Sequence, residues 1–236
     1  AVPTPARAGD SGCDISLVRD ALSHIGSGKI AVIKSTIPPG TLEAVQAEYP
    51  KVFLFHAPEF LTEANAAYDA SHPTRNVIGV PDGATSAYRD KTNEVLAVLP
   101  SAPVTIVCSA TESALIKYFS NAFLAIQVLR ANMAYDITEA FGAKWDTVRE
   151  GIITDPRIGS SHSDPLEGSG RGAGGDCFIK DFAALRAFTA TPLGTNFDVY
   201  TLISALEDYN IALLRASGKD LVKLAAVYGP EILKAA

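Results

Sequence analysis

Residues 109–142 read SATESALIKYFSNAFLAIQVLRANMAYDITEAFG, and this segment decides how the chain is organised. Ser109 and Glu112 have the spacing of a capping box, and neither Pro nor Gly interrupts the sequence from there to Gly142. Apolar residues recur at helical intervals, which predicts a helix over 110–141 with one apolar face. At about 1.5 Å per residue this helix would extend roughly 45–50 Å, longer than a typical domain helix. Such a helix usually joins two domains or forms the seam of a dimer.

The sequence before this helix alternates between strand-like and helical patterns. Four apolar runs predict strands: KIAVIKST (29–36), which would be buried, VFLFHAPEF (52–60), which is broken at Ala57-Pro58, RNVIGV (75–80) and VTIVCS (104–109). Three further stretches predict helices: 14–26, 41–49 with Thr41 as its cap, and 86–99. Alternation of this kind predicts a parallel sheet covered by helices.

The sequence after the long helix has a different pattern. Residues 154–176 form a loop rich in Gly, Ser, Pro and Asp, and 178–190 and 197–228 have helical periodicity. We therefore predict an α/β fold in which a parallel sheet is followed by a long connecting helix and an all-α domain. The boundaries predicted for the three parts are 1–108, 109–142 and 143–236.

Composition argues against several classes of protein. The 236 residues carry 20 basic and 26 acidic side chains, a net charge of −6, and no Lys/Arg cluster, which argues against nucleic acid or an anionic membrane as the partner. No apolar run approaches the ~18 residues that a membrane span needs. Three cysteines without CxxC spacing indicate a reducing, cytoplasmic location. Neither these cysteines nor the four scattered histidines have the spacing of a metal site.

A glycine-rich segment at 170–175, GRGAGG, formally matches the dinucleotide motif GxGxxG. We reject that interpretation, because the motif must follow a strand and open a helix within a βαβ unit, whereas this segment lies in a long loop. The glycines instead predict that something approaches the backbone closely here.

Cys177, directly after this loop, is a candidate nucleophile. It lies at a predicted helix start with Lys180 one turn further on, and both features favour the thiolate form. The alternative is a buried small apolar residue, the usual environment of a free cysteine. Cys13 and Cys108 have apolar or small neighbours and are predicted to be structural.

Two pairs of polar residues have helical i,i+4 spacing. Glu59 and Glu63 follow a predicted strand, and a turn of helix would present both carboxylates on one face, suited to general-base and binding roles. The alternative is a solvated helix N-terminus. Lys117 and Asn121 lie on the long helix and would suit an oxyanion site, or else form an exposed polar strip.

Two further polar residues follow or end predicted strands. Thr36 precedes a Pro-Pro-Gly turn and could bond a ligand through its hydroxyl or act only as a cap. His56 is better interpreted as a hydrogen-bonded histidine at a strand end than as a catalytic base.

Seven segments, in order, resemble those of the UDP-glucose/GDP-mannose dehydrogenases, four-electron oxidoreductases of sugar nucleotides. They are VPTP (2–5), KSTIPPGT (34–41), APEFLTE (57–63), RNVIG (75–79), ESALIKYFSNAFLA (112–125), DPRIG (155–159) and GGDCFIKD (174–181). The resemblance implies that 1–108 is the C-terminal part of an NAD-binding Rossmann-like domain. It also implies that 143–236 is a helical central domain with the catalytic cysteine loop, dimerising through the long helix.

The resemblance also implies a mechanism. Cys177 would add to an aldehyde formed from the sugar C6 alcohol, giving a thiohemiacetal and then a thioester. Lys117 would stabilise oxyanions, Asn121 and Asp181 would hold a water or hydroxyl, and Glu59 would be the base for hydrolysis. UDP-glucose, oxidised to UDP-glucuronate, is the expected substrate.

By motif position, the family's contacts with cofactor and substrate fall on named residues here. NAD would contact Thr4, Thr36, Glu63 and Lys180, and Thr36 also belongs to the catalytic group. The nucleotide sugar would contact Phe60, Leu61, Lys117, Asn121, Arg157 and Gly174, with Arg157 reaching across a subunit boundary in several members.

The chain departs from the family pattern at both ends. The family's true GxGxxG lies upstream of 2–5 and its second α/β domain follows the helices, and neither is in this sequence. Ala57, Ala173 and Ile179 replace a frequent Asn, an aromatic and a Pro. Since the only Met is Met133, we expect the chain to be the middle of a longer enzyme. The alternatives are a truncated, non-catalytic relative that serves as a dimerisation or scaffold module, and a separate chain that supplies the missing half.

Overall fold

The computed structural model describes residues 2–5, 13–166, 170–195 and 198–234, without the side chains of Glu63, Thr191 and Leu193. The described residues form two compact units, one of 2–5 with 13–119 and one of 120–234. The division falls inside the long helix. The predicted boundaries at 108 and 142 stay predictions.

The first unit contains a four-stranded sheet in the order β1-β2-β3-β4. Its strands are β1 Ile30–Ile33, β2 Phe53–His56, β3 Arg75–Val80 and β4 Val104–Ser109. The predicted parallel pairing is confirmed for β1–β2 and β3–β4 and is wrong for β2–β3, which are antiparallel. A parallel crossover needs a helix that packs back along the sheet. Residues 57–74 contain only a short 3₁₀ turn and a six-residue helix, so the chain reverses direction instead.

Helices cover both faces of this sheet. They are α1 Ser16–Ser23, α2 Thr41–Glu48 and α4 Ala87–Val98. The short helix α3, Ala66–Ser71, follows β2 and has no buried residue. Leu54 packs with α1 and α2, whereas its neighbour Phe55 packs with Val95 of α4. Successive strand residues point to opposite faces, so one strand contributes to two apolar layers. Thr41 is the first residue of α2 and not its cap, because the left-handed Gly40 occupies the N-cap position.

The long helix α5 spans Ala110–Ala140 and confirms the prediction of a helix over 110–141. The capping box at its start is formed: the Ser109 N–H donates to Glu112 Oε2 at 2.8 Å, and the Glu112 N–H donates to Ser109 Oγ at 3.2 Å. Gly142 follows the helix with a φ of +64°, which an L side chain rarely adopts.

The second unit is helical in its described residues. After α5 come α6 Trp145–Ile153, α7 Gly175–Leu193, α8 Asp198–Ser217 and α9 Leu221–Tyr228. Sequence periodicity did not predict α6, and the continuous helix predicted over 197–228 is wrong. Gly218 and Asp220, with φ of +72° and +52°, break it into α8 and α9. Among the described residues, no helix is both long and apolar enough to cross a membrane.

Candidate functional site

In the first unit, several predicted site residues follow the carboxyl ends of β1 and β2. These strands are parallel, with Ile33 opposite His56, so residues after each strand emerge at one edge of the sheet. Lys34, just after β1, forms an ion pair with Glu59 just after β2. Sequence reasoning missed Lys34, although it lies in the KST segment that contains Thr36. The turn of helix predicted to carry Glu59 and Glu63 on one face is wrong, because 57–62 are not helical. The Glu63 side chain lies outside the described residues.

Thr36 is held in place by residues 2–5 and by Cys13. Thr4 Oγ1 donates to the Thr36 carbonyl at 2.9 Å, and Cys13 Sγ lies 3.4 Å from the same oxygen. Ser35 Oγ donates to the Val2 carbonyl at 2.5 Å. The buried Thr4 hydroxyl therefore supports the backbone at Thr36.

His56 joins the ends of β1 and β2 from within the core. It is fully buried, and its Nε2 lies 3.2 Å from the Ser35 carbonyl, which can only accept, so Nε2 carries the proton. Burial disfavours the charged imidazolium and lowers the pKa of His56 to about 4. Its backbone carbonyl accepts from Ser113 Oγ of α5 at 3.3 Å. This geometry agrees with the interpretation of His56 as a hydrogen-bonded histidine at a strand end.

Phe60 lies between two cationic side chains. Arg75 Cζ is 4.1 Å and Lys117 Nζ is 5.5 Å from the centroid of the Phe60 ring, both within the range of a cation–π interaction. Phe60 and Leu61 line a pocket of about 270 Å³ with Arg75. Arg75 was not predicted as a site residue, although it opens the RNVIG segment.

In the second unit, the buried Asn121 and Asp181 form a polar cluster with the half-buried Lys180. Asn121 Nδ2 donates to Asp181 Oδ2 at 2.5 Å, and Lys180 Nζ lies 2.5 Å from Asp181 Oδ1. Asp181 is 2% exposed, so its carboxylate needs both partners. Asn121 and Lys117 are both buried, and the alternative of an exposed polar strip on α5 is wrong.

Cys177 is free and exposed, and it lies in the first turn of α7, which begins at Gly175. The alternative of a buried apolar cysteine is therefore wrong for this residue, and the predicted position at a helix start is confirmed. Cys108, by contrast, is half-buried, and burial with the nearby Glu112 carboxylate raises its pKa to about 11. Of the three cysteines, only Cys177 combines exposure with a position at a helix N-terminus.

The glycine-rich loop at 170–175 is bound by the C-terminal helices. Three of its N–H groups donate to side chains: Arg171 to Ser217 Oγ (3.0 Å), Ala173 to Asn210 Oδ1 (2.7 Å) and Gly175 to Asp220 Oδ2 (2.7 Å). We call Asn210, Ser217, Lys219 and Asp220 the loop clamp. A dinucleotide site needs free backbone N–H groups, so these bonds agree with the rejection of the GxGxxG interpretation.

The glycines of this loop make the close approach possible. A Cβ on Gly172 would lie 3.1 Å from Asn210 Oδ1, and one on Gly174 would overlap the Asp220 carboxylate. The expectation that something approaches the backbone closely here is therefore confirmed. The approaching groups are the loop clamp and α8.

Arg157 is bonded locally to Asp155. Its side chain is exposed and forms an ion pair with Asp155 Oδ2 at 2.6 Å. This pairing raises the pKa of Arg157 and lowers that of Asp155. Within the described ranges, no group of three or more His, Cys, Asp or Glu side chains is arranged to hold a metal ion.

Comparison with known proteins matches most of the chain to two domains of one family. Residues 1–97 match the NAD binding domain of the UDP-glucose/GDP-mannose dehydrogenase family, and residues 111–211 match its central domain.

Individual relatives have names from the same family. A UDP-glucose 6-dehydrogenase of Rhizobium meliloti is 38% identical over 199 residues, covering 78% of this chain and 44% of the relative. One of Rickettsia prowazekii is 36% identical over 180 residues, 73% of this chain and 40% of the relative. The chain thus spans less than half the length of these relatives.

Solved structures agree with this fold. A UDP-glucose dehydrogenase from Pyrobaculum islandicum superposes with a TM-score of 0.72 at 30% identity, over 92% of this chain and 51% of that one. A UDP-D-ManNAc dehydrogenase from Pyrococcus horikoshii has a TM-score of 0.71 at 20% identity, which supports the fold alone.

Proposed function

Because the chain belongs to the UDP-glucose/GDP-mannose dehydrogenase family, we propose that it carries the reaction centre of an NAD-dependent nucleotide-sugar 6-dehydrogenase. UDP-glucose, oxidised to UDP-glucuronate in the cytoplasm, is the proposed substrate. The observation that carries the proposal is the exposed Cys177 in the first turn of α7, three residues before Lys180, which forms a polar cluster with Asp181 and Asn121.

The carboxyl edge of β1 and β2 fits NAD. Nucleotides bind outside the carboxyl ends of parallel strands, where Thr36 follows β1 and is supported by Thr4. NAD would supply the hydride acceptor for both oxidation steps. By their positions in the family motifs, Thr36, Glu63 and Lys180 are the proposed contacts of its nicotinamide half, and Thr4 acts through Thr36.

Cys177 is the proposed nucleophile. Its thiolate adds to the C6 aldehyde and forms a thiohemiacetal, whose oxidation leaves a thioester on the same sulfur. Water then displaces the sulfur, releasing the carboxylate and restoring the thiol.

Other residues are proposed to stabilise charge and move protons. Lys117 would stabilise the oxyanions that form at C6, and Asp181, held by Asn121, would accept a hydrogen bond from a water or hydroxyl. Glu59 would take a proton from the hydrolytic water, with Lys34 holding its carboxylate at the edge of the sheet.

The proposed contacts of the nucleotide sugar follow from the pocket and from motif position. The Phe60 and Leu61 side chains line the pocket of about 270 Å³ in the first unit. Arg157 and Gly174 are proposed contacts by motif position only. Arg75 would hold the Phe60 ring in position by the cation–π interaction described above.

The test is oxidation of UDP-glucose by the purified full-length protein with NAD, followed through NADH absorbance and the mass of the sugar product. We expect uronate from the normal protein and none from Cys177→Ala. Cys108→Ala, which removes a half-buried cysteine outside the proposed site, is the matched control and should stay active. Normal uronate formation by Cys177→Ala would disprove the assignment of the nucleophile. GDP-mannose assayed in parallel decides between the two sugar nucleotides.

A homodimer through α5 is the second part of the proposal. Large apolar side chains are exposed along this helix: Phe119, Phe123, Met133 and Ile137. A soluble helix usually buries such a face against another helix. Sedimentation should show a dimer that Phe123→Glu or Ile137→Glu dissociates, whereas Glu139→Lys on the polar side leaves it intact. A dimer that neither binds NAD nor oxidises the sugar would favour the alternative of a scaffold module.

A further inference from the structure

The loop clamp bonds the carbonyl groups of the glycine-rich loop as well as its N–H groups. Four carbonyls accept from the clamp: Gly170 and Gly172 from Lys219 Nζ (3.1 and 3.0 Å), Arg171 from Ser217 Oγ (3.2 Å) and Ala173 from Asn210 Nδ2 (3.0 Å). A loop with this much glycine loses more conformational freedom on ordering than any other kind. The side-chain bonds therefore select one conformation from the many that 170–175 could adopt.

Asp220 is the member of the clamp that bonds the start of α7. Its Oδ2 accepts from the N–H of Gly175, the first residue of the helix that carries Cys177. Asp220 has a φ of +52°, a conformation that a residue with a side chain seldom adopts. In the first turn of α9, Lys223 pairs with Asp176 at 3.1 Å. The first turns of α7 and α9 are thus joined by a hydrogen bond and an ion pair.

We propose that Asp220 is a positioning residue for Cys177: by accepting from the Gly175 N–H it fixes where α7 begins and so places the thiol in the first turn. This inference rests on the proposed function only in taking Cys177 as the nucleophile. The hydrogen bond and its effect on the thiol can be measured without any turnover.

The physical reason is that a helix start has N–H groups without intrahelical acceptors. With Gly175 bonded to Asp220, the first turn is closed and the remaining N–H groups keep a fixed direction relative to the Cys177 sulfur. Without that acceptor the first turn frays, and the fixed direction of those N–H groups relative to the sulfur is lost. The negative charge of the Asp220 carboxylate is a second effect, separate from the hydrogen bond.

The test separates these two effects with variants of equal charge. Asp220→Asn removes the charge and keeps an oxygen that accepts from Gly175, whereas Asp220→Ala removes both. We expect Cys177 in Asp220→Ala to react with iodoacetamide about threefold more slowly than in Asp220→Asn, within the range that one hydrogen bond contributes. The rate is read by mass spectrometry on the peptide that contains Cys177. Equal rates in the two variants would overturn the proposal.

Hydrogen–deuterium exchange on the peptide spanning 170–181 supplies the second measurement. Exchange at the start of α7 should rise about tenfold in Asp220→Ala and stay near normal in Asp220→Asn. Asp208→Ala, an exposed aspartate of α8, is the matched control and should change neither readout. Unchanged exchange in Asp220→Ala would also overturn the proposal, even if the fold is weakened elsewhere.

Steady-state kinetics supply a third measurement, which a change in global stability alone would not alter. In the active enzyme, Asp220→Ala should lower kcat about tenfold, with KM for both substrates within about twofold, and Asp220→Asn should restore most of kcat. A normal kcat in Asp220→Ala would overturn the positioning role. If the normal protein oxidises no nucleotide sugar, the proposed function fails, and the alkylation and exchange rates still decide the role of Asp220.

Discussion

Around the sheet of the first unit, the buried side chains are mainly aliphatic or aromatic, as with Leu54, Phe55 and Ile78. In the second unit, several of the most buried groups are polar or charged. Glu207 is 2% exposed and accepts from both Arg186 and Tyr228, each at 2.6 Å. The apolar cluster on α5 and α7 is rich in alanine, so each of its residues buries less apolar surface than the Val, Leu and Ile residues of the first unit.

The two units are therefore stabilised by different interactions. Removing an apolar side chain from the first unit leaves a cavity, whose cost follows the volume lost. Removing a buried acceptor from the second leaves donors without partners, and the desolvation cost of those donors then counts fully against the fold. The following variants test that contrast.

The largest effect is expected for Glu207→Ala in the second unit. The change leaves the Arg186 guanidinium and the Tyr228 hydroxyl without their acceptor and should cost about 4 kcal/mol of unfolding free energy. The hydrogen bond to Glu207 raises the pKa of Arg186. Burial, together with the Glu207 charge, raises the pKa of Tyr228. Urea unfolding followed by the fluorescence of Trp145 measures the loss of unfolding free energy. Asp208→Ala, which removes a distant and exposed partner of Arg186, should cost under about 0.5 kcal/mol. Equal costs for the two would contradict the contrast.

Leu54→Ala tests the apolar side of the comparison. Leu54 is fully buried, and its truncation should cost about 3 kcal/mol through the cavity it leaves. Urea unfolding followed by far-ultraviolet circular dichroism is the measurement. Leu17→Ala, on the exposed side of α1, is the matched control and should cost under about 0.5 kcal/mol. A cost below about 1 kcal/mol for Leu54→Ala would mean that the core collapses around the site.

Acid should weaken the first unit through His56. The pKa of His56 is about 4 in the folded protein, below the ordinary histidine value of 6.5, so as pH falls the unfolded state takes up a proton first. The contribution of His56 to the free energy of unfolding is fully present well above pH 6.5. About 2 kcal/mol of it is lost by pH 5. Unfolding curves across this window should show the loss in the normal protein and in His24→Gln, a control at an exposed position. His56→Gln should remove this part of the pH dependence, and an unaltered profile would refute the assignment to His56.

The smallest effect is a coupling at the loop clamp. Gly174 has a φ of −100°, so its backbone accepts Ala, and the obstacle is the Asp220 carboxylate. Gly174→Ala should cost about 2 kcal/mol in the normal protein and about 1 kcal/mol less in an Asp220→Ala background. The four proteins of the cycle are compared by urea unfolding. Simple additivity would show that Asp220 is not what crowds Gly174.

Much of the first unit followed from local sequence. Its four strands, the helix Ala110–Ala140 and the capping box at Ser109 were predicted, because each depends on periodicity or on residues within a few positions. The antiparallel β2–β3 pairing was missed, because pairing depends on how a connection folds and not on the strand residues themselves.

The second unit followed less well from its sequence. The break between α8 and α9 was missed, although Gly218 signals a possible helix end. The loop clamp was missed because Asn210 and Asp220 lie some forty positions from the residues they bond. Polar residues on a helical segment carry no local sign of whether they face solvent or a distant backbone.

By itself, the sequence determined the element types and most of their bounds, the ordered family motifs and the candidate nucleophile Cys177, since these depend on local pattern. Tertiary structure alone decided that Cys177 is exposed, that Asn121 and Asp181 share a hydrogen bond, and that the glycines at 170–175 admit the side chains of α8 and the turn before α9. The physical reason is that helix and strand periodicity arise from neighbours along the chain. Burial and hydrogen-bond partners arise from residues that only folding brings together.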